Sequence, residues 1–240
     1  MSNLFTLELL QAVSDWQRGG SDQQNRKRGQ QLKEASVSLP ERYRTCSLCC
    51  FRQIALPKGG VWELIAEDRL SEKISSWTMD LEVAKKFKGG VPPKGQEYQG
   101  VILCTFPQPS SVVVNLQALY RDPDFTEALE REKHNISGYH AGAGRYGFTQ
   151  SEVVLEVATV TQENVYSLGG HSSSFQRLLD EAELQVYGSS ATLDQRQALV
   201  LKAEHVHAKT GPNWLTPDAT QRVLGRMPPH VELLQKAKDR

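Results

Sequence analysis

The sequence predicts an α+β fold, in which helices lie at both ends of the chain and short strands alternate with short helices in the middle. Two observations support this prediction. Apolar residues at helical spacing mark the ends, and short apolar runs bounded by glycine or proline mark the middle. With 240 residues, of which 39% are hydrophobic, the chain can bury the core of one domain with terminal additions.

Residues 1–42 are predicted to be a helical and basic segment. Apolar residues recur at helical spacing at Phe5, Leu9, Val13 and Trp16. Gly19-Gly20 then ends the predicted helix. Residues 21–38 are polar, which is typical of an exposed helix or a mobile arm. Their basic run Arg26-Lys27-Arg28 is either a solvated face or a contact for nucleic acid.

Residues 43–166 form the predicted core of the domain. Apolar runs predict strands at 44–52, 75–79, 100–106 and 111–116, and helical patterns are found at 61–70 and 124–133. Asp80 is a suitable N-cap for a further helix, which ends at Gly89-Gly90. The glycine-rich stretch 137–148 is predicted to be a flexible loop.

Residues 167–240 are predicted to be a helical extension that packs on the same domain. Helices are expected at 175–186 and 193–208, and a tail punctuated by prolines follows them.

Charge and hydropathy restrict the partners and the compartment. The formal net charge is zero, which gives no overall preference for nucleic acid or a membrane. No run approaches about 20 apolar residues, and the N-terminus has no basic start, so neither a spanning helix nor a secretory signal is predicted. We therefore expect a cytoplasmic protein without a membrane partner, with delivery into a target cell left open.

Four cysteines are present, at Cys46, Cys49, Cys50 and Cys104. A single Cys-x-x-Cys spacing without a second pair is a poor zinc signature, so no metal is predicted. We expect reduced cysteines that pack as small hydrophobic side chains.

Three short segments carry side chains suited to one chemistry. The first is Cys49-Cys50-Phe51-Arg52, in which an arginine ends an apolar strand, and a guanidinium binds diphosphate well. The second, 75–80, places hydroxyls two residues apart on a strand. The third, 150–155, has a glutamate at the start of an apolar strand, where a carboxylate can stabilise positive charge.

In this order, the three segments resemble the motifs of the Arg-Ser-Glu class of mono-ADP-ribosyltransferases, a fold of many bacterial toxins and effectors. The resemblance runs from about Tyr43 to Val165. It implies a split β-sandwich of two small, mostly antiparallel sheets around an NAD cleft, with flanking helices. It also implies NAD as co-substrate and no metal.

The resemblance assigns roles to individual residues. Glu152 would be catalytic, and Gln150 would orient the nucleophile. Arg52 would bind the diphosphate of NAD, with Arg44 as the alternative at the other end of the predicted strand. Hydroxyls would position the glutamate and help form the nicotinamide pocket, and the candidates are Ser76, Thr78 and, in another register, Ser75.

The acceptor is left open by these residues. Members that modify arginine carry two glutamates, whereas Gln150 precedes Glu152 here, so arginine is a less suitable target. An acceptor base, with RNA favoured over DNA, would stack on Tyr146 and Phe148 beside Arg145. The same side chains would also suit a host protein, in which case the resemblance implies an effector that modifies an Asn, Gln or Arg side chain.

The biological setting is open as well. A toxin of a toxin-antitoxin or phage-defence system, with an antitoxin partner, fits the resemblance, as do an NAD hydrolase and an inactive binding protein. His140 and His171 are candidates for assisting the reaction.

Overall fold

A computed structural model describes residues 4–94, 97–147, 149–171, 175–207 and 212–229. The strands are β1 (Cys50–Pro57), β2 (Leu70–Ser71), β3 (Ile74–Thr78), β4 (Tyr98–Thr105), β5 (Val112–Asn115), β6 (Glu152–Glu156), β7 (Thr159–Val160), β8 (Val165–His171) and β9 (Pro212–Trp214). The α-helices are α1 (Leu7–Arg18), α2 (Asp22–Ser36), α3 (Lys58–Glu67), α4 (Leu81–Lys86), α5 (Leu116–Tyr120), α6 (Pro123–Glu132), α7 (Ala143–Tyr146), α8 (Phe175–Tyr187), α9 (Leu193–His207) and α10 (Pro217–Leu224). The α+β prediction is confirmed.

The strands form one large sheet and one small one, rather than the two small sheets that the resemblance implied. Seven strands are ordered β5-β6-β3-β1-β4-β8-β9, and β2 pairs separately with β7. All pairings among the described strands are antiparallel. In the large sheet, β1 and β3 share the single pair Phe51↔Thr78, whereas β1 and β4 share eight pairs. We call this weak join between β1 and β3 the seam.

Two hydrophobic clusters lie on opposite faces of the large sheet. Strand β6 shows the division because its side chains alternate. Val154 belongs to the cluster formed with α1, α2, α5 and α6, while Val153 and Leu155 belong to the cluster that contains Trp77. Glu152 therefore shares the helix-covered face with Val154.

The strand that carries Arg52 begins later than predicted. It starts at Cys50 instead of 44 and continues to Pro57, because all eight residues pair with β4. Arg52 is thus the third residue of the strand and does not end it. The prediction missed this because Gln53 and the terminal proline interrupt the apolar pattern of 50–57.

The polar stretch 21–38 is a helix, as one of the two alternatives predicted, and it is not a mobile arm. Ser21 and Gln24 form a capping box at the start of α2. Leu32 is fully buried, and a Cβ at Gly29 would lie 3.0 Å from Ile74 and 3.1 Å from Trp16. The helix therefore packs against both α1 and β3.

The glycine-rich stretch before Gln150 contains helical turns at its described residues, so the prediction of a loop without regular elements is wrong. It contains a 3-10 turn at Tyr139–Ala141 and then α7. A Cβ at Gly142 would lie 2.1 Å from the carbonyl oxygen of Ser14 on α1. The side chain of Gln11 accepts a hydrogen bond from the Ser137 amide and donates one to the Ser137 carbonyl. These glycines permit close packing on α1.

The expected tail after α9 has regular structure at its described residues. β9 pairs with β8, and α10 follows it. No helix in the described part of the chain is both long enough and apolar enough to cross a membrane.

The cysteines differ from the expectation of four reduced thiols. Cys49 and Cys104 form a disulfide that links β4 to the residue before β1, with Cα atoms 6.6 Å apart. Cys46 and Cys50 are free, and burial raises the pKa of the Cys50 thiol. Within the described ranges, His, Cys, Asp and Glu side chains form no group of three that could hold a metal ion.

Thiol labelling in denaturant tests the disulfide. We expect two reactive thiols before reduction and four afterwards. Replacing both Cys49 and Cys104 by serine is expected to lower the free energy of unfolding by about 2–4 kcal/mol, since the bond closes a long loop. Four thiols in the unreduced protein would contradict the assignment.

Candidate active site

Three neighbouring strands carry the side chains of the candidate site. Arg52 lies on β1, Ser76 and Thr78 on β3, and Glu152 on β6, and the sheet order places these strands side by side. The register pairs Thr78 with Glu152 and Ser76 with Val154. Because opposed residues of an antiparallel pair share a face, both hydroxyl residues lie on the face that carries Glu152.

The Glu152 carboxylate is held by two donors that share one oxygen. The Ser76 hydroxyl donates to Oε1 at 2.6 Å. The Trp16 indole N–H, from α1, donates to the same atom at 2.8 Å. The other oxygen, Oε2, is buried and has no hydrogen-bond partner. The carboxylate therefore has one satisfied oxygen and one free oxygen.

Burial dominates the ionisation of this carboxylate. Glu152 is only 4% exposed, and desolvation raises its pKa above the ordinary value for glutamate. The Ser76 hydroxyl, the Trp16 indole and the nearby Gln17 side chain act in the opposite direction and lower the pKa. The site thus contains an acid whose anion is costly to bury and is partly stabilised by local donors.

Arg52 lies at the seam, where the ladder between β1 and β3 is interrupted. Its Nη1 donates to the carbonyl oxygen of Ser76 at 3.0 Å. Its Nε lies 3.6 Å from Oε1 of Glu72 and is buried without a hydrogen bond. The rival candidate, Arg44, is exposed and donates to the carbonyl oxygen of Val37.

A cleft lies beside Arg52 and Ser76, between the strands and α4. Its volume is about 50 Å³, and its lining includes Arg52, Gln53, Ser76, Thr78, Phe87 and Gln150. Helix α4 begins as predicted, with the Asp80 carboxylate accepting from the Glu82 amide at 2.8 Å. Phe87, just after this helix, is 46% exposed. Arg44 is not part of the lining.

Unpartnered buried polar atoms concentrate around this cleft. Among the described residues, four buried side-chain nitrogen or oxygen atoms lack a hydrogen bond, and three of them belong to Arg52, Gln53 and Glu152. Gln53 uses its amide nitrogen to donate to the Gly90 carbonyl at 2.7 Å, which leaves its Oε1 free. Native proteins rarely leave such atoms unsatisfied, and functional sites are a common exception.

The remaining predicted residues divide between the two faces of β3. Gln150 lines the cleft, and its carbonyl oxygen accepts from the Thr78 hydroxyl at 2.7 Å. Ser75 is 5% exposed, and its hydroxyl accepts from the Trp77 indole at 3.0 Å. Ser75 therefore lies on the opposite face, and the structure gives it no place in the cleft.

The residues predicted to bind the acceptor lie outside this cleft. Arg145 and Tyr146 are on α7, with the guanidinium 5.2 Å from the ring centroid, and neither is part of the cleft lining. Phe148 is outside the described residues. His140 is exposed beside Tyr139, and the side chain of His171 is not among those described.

Three residues of the site were not predicted: Trp16, Gln53 and Glu72. Trp16 fits the apolar periodicity of α1 and was assigned to packing. Gln53 could have been recognised from the sequence, because it is a polar side chain between Arg52 and the apolar run 54–56. Glu72 lies between two strands and has no pattern that marks it.

Comparisons of this chain with protein-family models, curated proteins and solved structures found no match.

Proposed function

We propose that the protein is an NAD-dependent mono-ADP-ribosyltransferase. One observation carries this proposal: the Ser76 hydroxyl hydrogen-bonds the buried Glu152 carboxylate, and the Arg52 guanidinium lies against the same residue, Ser76, at the edge of a cleft. An arginine, a serine and a glutamate on adjacent strands are what the sequence resemblance requires. In this proposal the two parts of the large sheet, on either side of the seam, correspond to the split β-sandwich of that class.

The cleft is small for NAD. Its volume of about 50 Å³ lies below the roughly 300–1,000 Å³ that is typical of ligand pockets, so in this proposal the cleft widens when the dinucleotide binds. The free Nε of Arg52 offers a donor for a diphosphate oxygen, and the free Oε1 of Gln53 offers an acceptor for an amide. Phe87 supplies an exposed ring at the same cleft. A diphosphate there competes with Glu72 for the guanidinium.

The proposed mechanism assigns the following roles. Arg52 binds the diphosphate, while the Glu152 carboxylate stabilises the positive charge that builds on the ribose carbon as nicotinamide leaves. Ser76 and Thr78 order the strand and the carboxylate. Because Glu152 lies behind Ser76 and is almost fully buried, we propose that side chains lining the cleft move aside and expose Oε2 to the ribose, while the carboxylate keeps its orientation. Gln150 then orients the acceptor.

A nucleic-acid base is the acceptor that we propose, with RNA favoured. Gln150 lines the cleft and can pair with a base edge through its amide. Tyr146 and Arg145 lie on α7, close in sequence to Gln150, and Arg26 and Lys27 are exposed on α2. Aromatic and cationic side chains of this kind can stack on bases and contact phosphates. A toxin or phage-defence role in the cytoplasm, with an antitoxin that covers the cleft, is the setting we propose.

Burial of Glu152 favours one second candidate, a binding protein that keeps the site but not the activity. The carboxylate is 4% exposed and is covered by Trp16 of α1. An enzyme whose catalytic group stays covered in this way would be inactive. Release of nicotinamide therefore separates the two candidates.

The experiment is incubation of the protein with radiolabelled NAD and a cell lysate, followed by separate treatment with ribonuclease, deoxyribonuclease or protease. We expect transferred label that ribonuclease removes, and none with Glu152→Gln. Removal by protease would replace the nucleic-acid acceptor with a protein. Nicotinamide release without transfer would indicate an NAD hydrolase, and the absence of both would leave the inactive binding protein.

A further inference from the structure

The contact between Trp16 and Glu152 joins two parts of the chain that are 136 residues apart. Indole N–H and hydroxyl donors meet on Oε1, so the carboxylate cannot rotate freely about its last bond without breaking both hydrogen bonds. Oε2 is thereby left as the oxygen without a protein partner. The orientation of the carboxylate is thus fixed by a donor on α1 as well as by Ser76.

Helix α1, which carries Trp16, is packed into the hydrophobic core. Leu9, Leu10 and Val13 are almost fully buried in the core cluster. On the side that faces the glycine-rich stretch, the Gln17 amide donates to the Gly147 carbonyl at 3.3 Å, and the Ala143 amide donates to the Ser14 hydroxyl at 3.4 Å. Displacement of the whole helix would expose this core. Trp16 is therefore anchored by packing, which makes it suitable for fixing another side chain.

We propose that Trp16 is a positioning residue for the reaction, which holds the Glu152 carboxylate through Oε1 and leaves Oε2 unpartnered for the substrate. This inference rests on the proposed function, because it takes Glu152 as the catalytic carboxylate. Trp16 is not part of the cleft lining. It acts through Glu152, both by orienting the group and by stabilising its ionised form.

The side chains around Glu152 determine which ionisation the pH dependence of the activity will report. Ser76, Trp16 and Gln17 face it and do not ionise in the working range. Among the described residues, Tyr120 from α5 is the titratable group that interacts with Glu152, and burial together with the Glu152 charge raises the pKa of this tyrosine above its ordinary value. The Tyr120 hydroxyl donates to the Gln17 side chain at 2.7 Å. An acid limb in the activity of the protein therefore reports Glu152.

The test combines kinetics with an observation that needs no turnover. In Trp16→Phe the ring remains but the donor is lost. We expect kcat to fall about tenfold, as for loss of a hydrogen bond to a charged group, with little change in the KM for NAD. The acid limb of kcat should move to higher pH, because a stabilising donor to the anion is gone.

The second readout is the indole N–H resonance of Trp16 in protein labelled with ¹⁵N, identified by its loss in Trp16→Phe. We expect this resonance to shift with pH as Glu152 ionises and to lose that dependence in Glu152→Gln. If the wild type neither turns over NAD nor releases nicotinamide but this resonance still titrates, the contact stands and the proposed function fails.

Trp214→Phe is the matched control. It also removes an indole donor, which bonds the neutral carbonyl oxygen of Lys85 at 2.9 Å, so we expect no change in the acid limb. If Trp16→Phe leaves kcat and the acid limb unchanged in an active, folded protein, or if the Trp16 resonance does not respond to pH, the positioning role is wrong.

Discussion

Glu152→Gln is expected to lower the rate of NAD cleavage by about 10²–10³-fold while making the folded protein more stable at neutral pH. The loss of activity follows from the loss of negative charge opposite the developing positive charge of the ribose. The amide keeps the size of the side chain, and its oxygen can still accept from Ser76 and Trp16. A large loss of kcat with native folding would therefore identify the charge itself as the essential feature.

The gain in stability follows from the burial of Glu152. Its pKa is raised in the folded state, so folding favours the protonated form. The wild type thus loses stability as the pH rises from the ordinary glutamate value of 4.5 through the raised value in the folded protein. Glutamine carries no charge and avoids this loss. We expect the variant to exceed the wild type by about 1–3 kcal/mol at neutral pH, and by little in acid.

Urea unfolding of both proteins across this pH range measures the difference, and nicotinamide release from the same preparations measures activity. Ser76→Ala is a useful comparison, because it removes a donor to Oε1 but leaves the carboxylate charged. It should be less active and less stable than the wild type. A Glu152→Gln variant that is both active and less stable at neutral pH would contradict the role and the burial argument together.

Arg52→Ala is expected to weaken NAD binding by about 10–100-fold, the range expected when charge-assisted hydrogen bonds are lost. The guanidinium is the cation in the cleft lining, and its buried Nε, which lacks a hydrogen bond and lies 3.6 Å from Glu72, would turn to a diphosphate on binding. Arg52→Lys should recover only part of the affinity, since an ammonium keeps the charge but lacks the planar fork.

Calorimetric titration with NAD, in the Glu152→Gln background so that the dinucleotide is not consumed, measures the dissociation constant. Arg44→Ala is the control, because Arg44 is exposed and bonds a backbone carbonyl away from the cleft. We expect its affinity to be unchanged. If the effects of the two variants were reversed, Arg44 would be the NAD-binding arginine, and the proposed cleft would be wrong.

Local patterns in the sequence predicted the parts of the site that depend on local structure. The spacing of Ser76 and Thr78 predicted a common face, and both now lie on the face of Glu152. Asp80 was predicted to cap a helix, and it does. The apolar run after Glu152 predicted a strand that starts at this residue. Each of these features is fixed by alternation or capping within a few residues.

Features that depend on distant residues could not be predicted in the same way. The bond from Trp16 to Glu152 and the packing of Gly142 on Ser14 arise only when α1 docks on the sheet. The disulfide between Cys49 and Cys104 depends on the pairing of β1 with β4. Periodicity places such side chains on a face, but the partner across the fold comes from tertiary packing.

The seam between β1 and β3 runs through the candidate site and divides the large sheet into two units. Arg52 belongs to the unit built on β1, β4 and β8, and Ser76 and Glu152 belong to the unit built on β3, β5 and β6. Between the two strands the described residues show one ladder pair and the bond from Arg52 to the Ser76 carbonyl, and the core cluster that contains Trp77 packs on strands of both units. A ligand that draws Arg52 towards itself therefore pulls on this link, so that occupancy of the cleft and separation of the two units become coupled.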